Sequence, residues 1–301
     1  MTTRPYSRSR IRKLKEGALE GLLLLAASTA IIATIGIVFI LVHESIPFFK
    51  VVSFKDFFTD TEWTPLFSNP RYGILPLLSG TFVTTFVALI LAVPVGLTIS
   101  IFLSEYASNR LREITKPILE LLAAVPTVVY GYFALLFVTP LLQKIFPSIP
   151  GFNMLSAGLV MGIMIIPYIS SLSEDAMRSV PMQMREGAYA MGSTKLQTAI
   201  RVVFPGALSG ITSAVILGIS RAVGETMVVA IAAGMQPNLT LNPTEPAATI
   251  TAYIVQVSLG DLPHDSIGYQ TIFAAGLTLL VITLLFNILG FYFRKRFREV
   301  Y

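Results

Sequence analysis

Apolar runs long enough to cross a lipid bilayer recur six times, at about Gly21–Val42, Pro76–Ser104, Pro117–Gln143, Met154–Ser173, Gly206–Ala233 and Gln270–Phe293. A helical span needs about 20 such residues. Inside lipid each backbone polar group must find its partner within its own segment, so runs of this length are read as helices. The pattern predicts an all-α polytopic membrane protein with six transmembrane helices. A basic N-terminal tail (1–20) and a basic C-terminal tail (294–301) flank a single transmembrane domain (21–293). Segments 43–75 and 234–269 are expected as outer loops, and 174–205 as a cytoplasmic loop. The first run follows Arg4, Arg8, Arg10, Arg12, Lys13 and Lys15, as in a signal peptide, but it is too long for one and reads as an uncleaved first span.

Composition agrees with this picture. Of 301 residues 54% are hydrophobic and 13% charged, against about 25% charged in an ordinary soluble domain. Of the 22 Lys and Arg residues, seventeen fall in the two tails and the loops at 105–116 and 174–205, whereas Lys50, Lys55, Arg71 and Lys144 lie on the other side. Cytoplasmic loops carry the excess of positive charge, so both termini are expected in the cytoplasm of a bacterial-type inner membrane. The net charge of +5 arises at these membrane boundaries and gives no reason to expect a nucleic-acid partner. The chain has no cysteine, which excludes disulfides and thiolate chemistry.

The outer segment 43–75 is rich in aromatic residues (Phe48, Phe49, Phe54, Phe57, Phe58, Trp63, Phe67 and Tyr72). It suits either an interfacial helix or a docking surface for an external partner. Segment 234–269 lacks Lys and Arg, and its prolines argue against a long helix. Small residues recur every fourth position in the second span (Gly80, Thr84, Ala88, Ala92, Gly96, Ser100) and in the fifth (Gly206, Gly210, Ala214, Gly218, Ala222, Thr226, Ala230, Gly234). Such rows allow close helix approach, either within the chain or toward a second subunit. Pro94, Pro126 and Pro167 interrupt spans and predict bends. Thr127, Tyr130 and Tyr132 beside Pro126 bring hydroxyls that serve either packing or a transport path.

Arg221 and Glu225 stand inside the fifth apolar run. A charged residue centred in a span costs roughly 2.5–3.5 kcal/mol on insertion scales, so it faces a protein interior, a cavity or a transport path. A spacing of four places the two on one face of a continuous helix. The pair is either a packing device or a contact for a charged substrate.

Between the fourth and fifth runs, Glu186-Gly187-Ala188, Gly192, Val202, Phe204 and Pro205 resemble the EAA motif of ABC importer permeases: Glu-Ala-Ala, three residues, Gly, nine residues, Ile-x-Leu-Pro. Gly187, Val202 and Phe204 depart from the motif but keep its size class or hydrophobicity. The resemblance implies a type I importer permease bundle whose loop forms a coupling helix against a cytoplasmic ATPase, with Glu186 supplying contact and Gly192 the turn. The stretch Ser220-Arg-Ala-Val-Gly-Glu-Thr-Met227 resembles a signature of phosphate importer permeases, and with the basic tail and long first outer loop it is closer to the PstC type than the PstA type. That resemblance implies phosphate as substrate and a path containing Arg221, Glu225, Ser220 and Thr226. It also implies a second permease subunit of the PstA type, two ATPase subunits and an external phosphate-binding protein. Phosphate oxygens match the planar five-donor fork of a guanidinium.

No nucleotide, metal or hydrolase signature accompanies these motifs. Gly187 to Thr194 has the glycine spacing of a phosphate-binding loop, but Ser193 stands where its lysine belongs. The chain is therefore expected to be catalytically silent and to hold no cofactor, with ATP and Mg²⁺ bound by the partner ATPase. An ion-coupled secondary transporter is the rival class, yet no repeat relates the two halves. A permease for another oxyanion or small solute is the nearer alternative.

Overall fold

A computed structural model describes residues 6–296, and side chains for all of these except residues 6–11 and 14. The expected basic positions Arg4 and Arg298 lie outside the described residues. The chain is helical nearly throughout. Helix α1 (Tyr6–Val51) is followed by the short α2 (Phe54–Thr59), then α3 (Leu75–Tyr106), α4 (Asn109–Ala124) and α5 (Thr127–Ile145). Helix α6 (Met154–Arg178) leads to α7 (Met182–Ala190), α8 (Lys195–Gly206) and α9 (Leu208–Val223). The chain closes with α10 (Met227–Ala232), α11 (Ile250–Ser258) and α12 (Ile267–Arg296). Five of these are long and apolar enough to span a membrane, and the pair α8–α9, bent by 75°, brings the count to six.

Several elements depart from the expected boundaries. Helix α1 runs unbroken through much of the expected N-terminal tail and on to Val51. At 46 residues it is about 70 Å long, more than twice the hydrocarbon thickness. The third span is two helices meeting at Val125-Pro126, because proline cannot donate to the ladder and bars the preceding residue from helical geometry. Its first half, α4, begins at Asn109, capped by the Ser108 side chain, in what reads as a loop. The fifth span is not one helix: Pro205-Gly206 precedes the 75° turn into α9, which ends at Gly224 before α10 starts at Met227.

The core is centred on α6. Its Met154, Ala157, Val160, Met161, Met164, Ile165 and Ile169 are almost wholly buried between α3 and α9. Members of both rows of small residues face this helix. A Cβ added at Gly96 would lie 2.9 Å from Ile169, one at Gly210 2.4 Å from Ala176, and one at Gly218 3.1 Å from Ile169. Gly158 and Gly162 of α6 answer with equally close approaches to Val87 and the Ala88 carbonyl. Lipid is as apolar as the side chains, so these contacts stabilise through dispersion and fit rather than through exclusion of water. At these positions the rows pack within the chain.

A second cluster tops the bundle. Phe48, Phe57 and Trp63 from the aromatic segment are buried with Ile74, Leu77, Ile250 and Tyr253. Phe48 meets Phe57 and Tyr72 edge-on, and Trp63 meets Tyr253 at 5.1 Å, an arrangement aromatic quadrupoles favour. Much of the aromatic segment therefore folds onto its own bundle, while Phe54, Phe58 and Phe67 stay exposed. Segment 234–269 is also more than a loop. Residues 247–253 are buried, and the chain at Ala248 crosses α3 so closely that a Cβ on Gly80 would fall 2.2 Å from the Ala248 carbonyl oxygen.

Candidate functional site

The break between α9 and α10 is built by a side chain. Glu225 is almost wholly buried, and its Oε1 accepts hydrogen bonds from the backbone amides of Met227 (3.2 Å) and Val228 (3.5 Å). A carboxylate on the first amides of a helix satisfies donors that have no partner inside it. Glu225 thus starts α10 instead of continuing α9. The Glu225 carbonyl accepts from Thr251 Oγ1 at 2.6 Å. Thr249 caps α11 through Ala252 N, and the Ile250 amide donates to Thr81 Oγ1 of α3. The break is therefore pinned to α11, and α11 to α3.

Arg221 is the last charged residue of α9, ~20 Å along it from Leu208. Its Nη2 lies 3.6 Å from Glu225 Oε2, with the arginine side chain 39% exposed and the glutamate 2%. The two do approach each other, but across a broken helix rather than along the face of a continuous one. At 3.6 Å the contact is Coulombic and not a hydrogen bond. The Arg221 side chain makes no hydrogen bond among the described residues, so its donors remain available. Glu225 Oε2 and Ser220 Oγ are buried polar atoms without a hydrogen-bond partner among the described residues. Buried polar atoms are rarely left so. Thr226, half-buried in the break, turns its hydroxyl to the Gly224 carbonyl at 3.3 Å.

The corner at Pro126 stands nearby. Helix α10 packs against the first turns of α5, where a Cβ on Gly131 would lie 3.1 Å from the Met227 carbonyl oxygen. Thr127, half-buried, opens α5. Tyr130 is buried, and its hydroxyl donates to the Leu122 carbonyl at 2.7 Å. That bond holds the α4–α5 corner, the packing side of the two roles open to Tyr130. Tyr132 points outward and is exposed.

A second set of residues lies at the opposite end of α9. Helix α7 carries Glu186, Gly187 and Ala188, the first two exposed and Ala188 half-buried. Gly192 has φ +84°, a left-handed conformation that side chains disfavour, and it reverses the chain toward α8. Thr194 and Gln197 then form a reciprocal cap on α8. Met182, Tyr189, Met191, Leu196 and Ile200 are exposed around this turn, leaving an apolar surface beside Glu186. Pro205 sits one residue before the end of α8, at the 75° turn.

Sequence reasoning counted Arg178 and Arg185 only as topological charge and missed their partners. Arg185 is buried and ion-paired to Glu105 at 3.0 Å. Glu174, buried at the end of α6, has Lys116 at 3.0 Å, Arg178 at 3.7 Å and Arg112 at 3.9 Å. Burial pulls the Lys116 ammonium down, but hydrogen bonds to Asp175 and Glu174 outweigh it and leave it above the ordinary lysine value. In segment 234–269, hydrogen bonds from Thr240 and Asn242 hold the Glu245 carboxyl below the ordinary carboxylate range. Arg185 lies 80 residues from Glu105 and Lys116 58 from Glu174, beyond the reach of local pattern, whereas Arg178 is only four residues from Glu174. Acids at the ends of apolar runs, Glu105 and the Glu174-Asp175 pair, were the available signal.

Comparison with known proteins follows the same lines. The family model described as binding-protein-dependent transport system inner membrane component matches residues 92–299. The probable ABC transporter permease protein YqgH of Bacillus subtilis is 36% identical, over 91% of this chain and 87% of its own length. The phosphate transport system permease protein PstC of Xylella fastidiosa is 35% identical, over 75% of this chain and 74% of its own. PstC 1 of Mycobacterium tuberculosis is 36% identical, over 77% and 79%. Among solved structures, a chain of a bacterial alginate ABC transporter in complex with a periplasmic protein superposes with a TM-score of 0.64 at 18% identity, over 95% of this chain and 96% of that one. A chain of the MetNI methionine ABC transporter gives 0.55 at 18% identity, over 75% and 95%. At such identities these two speak for the fold.

Proposed function

Because the chain belongs to the binding-protein-dependent transport system inner membrane components, we propose that it is the permease subunit of an ATP-driven importer whose cargo is inorganic phosphate. The relatives named for phosphate transport support that cargo. The single observation that carries the reading is the state of Arg221: a half-exposed guanidinium in an apolar span, without a hydrogen bond, backed by a buried carboxylate.

A phosphate anion cannot enter an apolar medium without charge and donors to replace its water. Arg221 supplies both and stays charged when desolvated. Glu225, fixed on the amides of α10, lowers the local positive field so that the anion is passed on instead of trapped, as conduction requires. Ser220, Thr226 and Thr127 supply further polar atoms along the same path, and Tyr130 braces its wall. A half-exposed Arg221 on one chain supports a path at a boundary, completed by a second permease subunit of the PstA type. The exposed face of α7 with Glu186, Gly187 and Ala188, the Gly192 turn and Pro205 form the contact with two cytoplasmic ATPase subunits. The opposite face receives an external phosphate-binding protein, and both termini are cytoplasmic. ATP and Mg²⁺ belong to the ATPase; the permease moves as a rigid lever and performs no chemistry of its own.

The test is uptake of radiolabelled phosphate by vesicles containing the assembled complex and its binding protein. Uptake is expected only with ATP, and excess unlabelled phosphate should suppress it while sulfate and molybdate do not. Equal suppression by sulfate or molybdate would move the assignment to another oxyanion. Uptake without ATP, driven by an ion gradient, would remove the importer reading.

A further inference from the structure

The buried Arg185–Glu105 pair joins the exposed helix α7 to a span that is distant in sequence. Arg185 is fully engaged. Its Nη2 donates to Glu105 Oε1 at 3.0 Å and to the Met177 carbonyl at 2.9 Å, and its Nη1 donates to the Val180 carbonyl at 2.6 Å. The side chains are 10% and 5% exposed. The carboxylate belongs to a π-helical turn, Phe102–Tyr106, that ends α3. Such wide turns are rare, and they re-aim side chains at the point where they occur. This one turns two neighbours toward the loop: Glu105 meets Arg185, and the Tyr106 ring lies 5.8 Å under the Lys195 ammonium. The loop thus grips α3 from both sides of the Gly192 turn.

From Glu105 the contacts continue without a gap. Helix α3 lies along α6 through its row of small residues and reaches the Ala248 carbonyl at Gly80. One residue further, Thr81 Oγ1 accepts the Ile250 amide, and Thr251 holds the Glu225 carbonyl. Helix α7 therefore has two connections to the break at Arg221. One runs up its own chain through Pro205 and α9; the other crosses to α3 and descends through α11.

We infer that Arg185 is a positioning residue that transmits displacement of α7 into α3 through Glu105, so that the ATPase side moves both walls of the break together. This rests on the proposal that the chain is an ATP-driven permease. Breaking a buried ion pair leaves an uncompensated charge and disturbs its surroundings. The readout must therefore separate coupling from folding.

The decisive quantity is phosphate taken up per ATP hydrolysed, measured in proteoliposomes of the complete complex. For Arg185→Gln and Glu105→Gln, assembly and ATP hydrolysis are expected to persist while that ratio falls by about tenfold, the scale on which coupling residues act. Arg185→Lys should recover much of the ratio, because the ammonium can still meet the carboxylate. The double variant should be no worse than either single one, since both remove the same contact. An unchanged ratio in the single variants overturns the inference. So does a parallel loss of hydrolysis, uptake and complex yield in both, which would make the pair a folding contact only. Should Arg185→Gln not assemble, the nearly isosteric Glu105→Gln decides by the same ratio. A wild-type complex that shows no ATP-dependent uptake would instead refute the permease reading beneath it.

Discussion

Arg221 and Glu225 are four residues apart, yet their chemistry differs because one is anchored and the other is not. Glu225 is tied through Oε1 to two amides and through its backbone carbonyl to Thr251. Arg221 has only a 3.6 Å charge contact. Replacing it with lysine keeps the charge and removes the fork, so Arg221→Lys should assemble normally and lower phosphate uptake by about tenfold, the worth of one charge-assisted hydrogen bond. Uptake at the wild-type rate would show that charge alone suffices. Tyr130 makes the opposite case. Tyr130→Phe loses the bond to Leu122 and should lower stability by about 1 kcal/mol, seen as an earlier thermal unfolding of the detergent-solubilised complex, with uptake retained. Loss of uptake at unchanged stability would assign Tyr130 to the path instead.

At the scale of elements, helix ends rather than helix faces organise the molecule. Two spans break near the same place, at Val125-Pro126 and at Gly224–Thr226, and α5, α10 and α11 all begin there. Proline announced the first break. The second was not legible, because a hydropathy window averages over three residues and because the agent is a glutamate acting as a cap, a role set by where the chain turns. The close crossing of α3 by residue 248 was equally invisible, since nothing local relates Gly80 to a loop far downstream. It carries a prediction: Gly80→Val forces a side chain into the Ala248 carbonyl and should destabilise the fold by about 1–3 kcal/mol or more, seen as loss of folded yield. A full yield of folded complex would mean that the crossing is looser than 2.2 Å implies. The Gly192 turn was legible from its motif, and its φ of +84° states the physical demand. Gly192→Ala should strain the turn by about 1–2 kcal/mol and reduce uptake per ATP without loss of the membrane bundle. An unaltered ratio would show that the turn tolerates a side chain.

The whole molecule is a bundle around α6, with its polar features displaced to two ends of one helix, α9. The number of spans, the all-helical class and the family could be read from the chain, because lipid imposes length and composition on every span. What could not be read was how the ends connect: the folding back of 247–258, the aromatic cap, and the ties of Glu105 and Glu174 to distant cations. Each is a long-range pairing that periodicity does not encode. In the proposed importer these pairings would link the 174–205 loop to the break and supply its mechanical logic. The most direct measurement of that logic is ATP-driven phosphate uptake by the reconstituted complex carrying Arg221→Gln. The account predicts normal assembly with uptake at least about tenfold below wild type, since charge and fork are both removed. Uptake at the wild-type rate would contradict it.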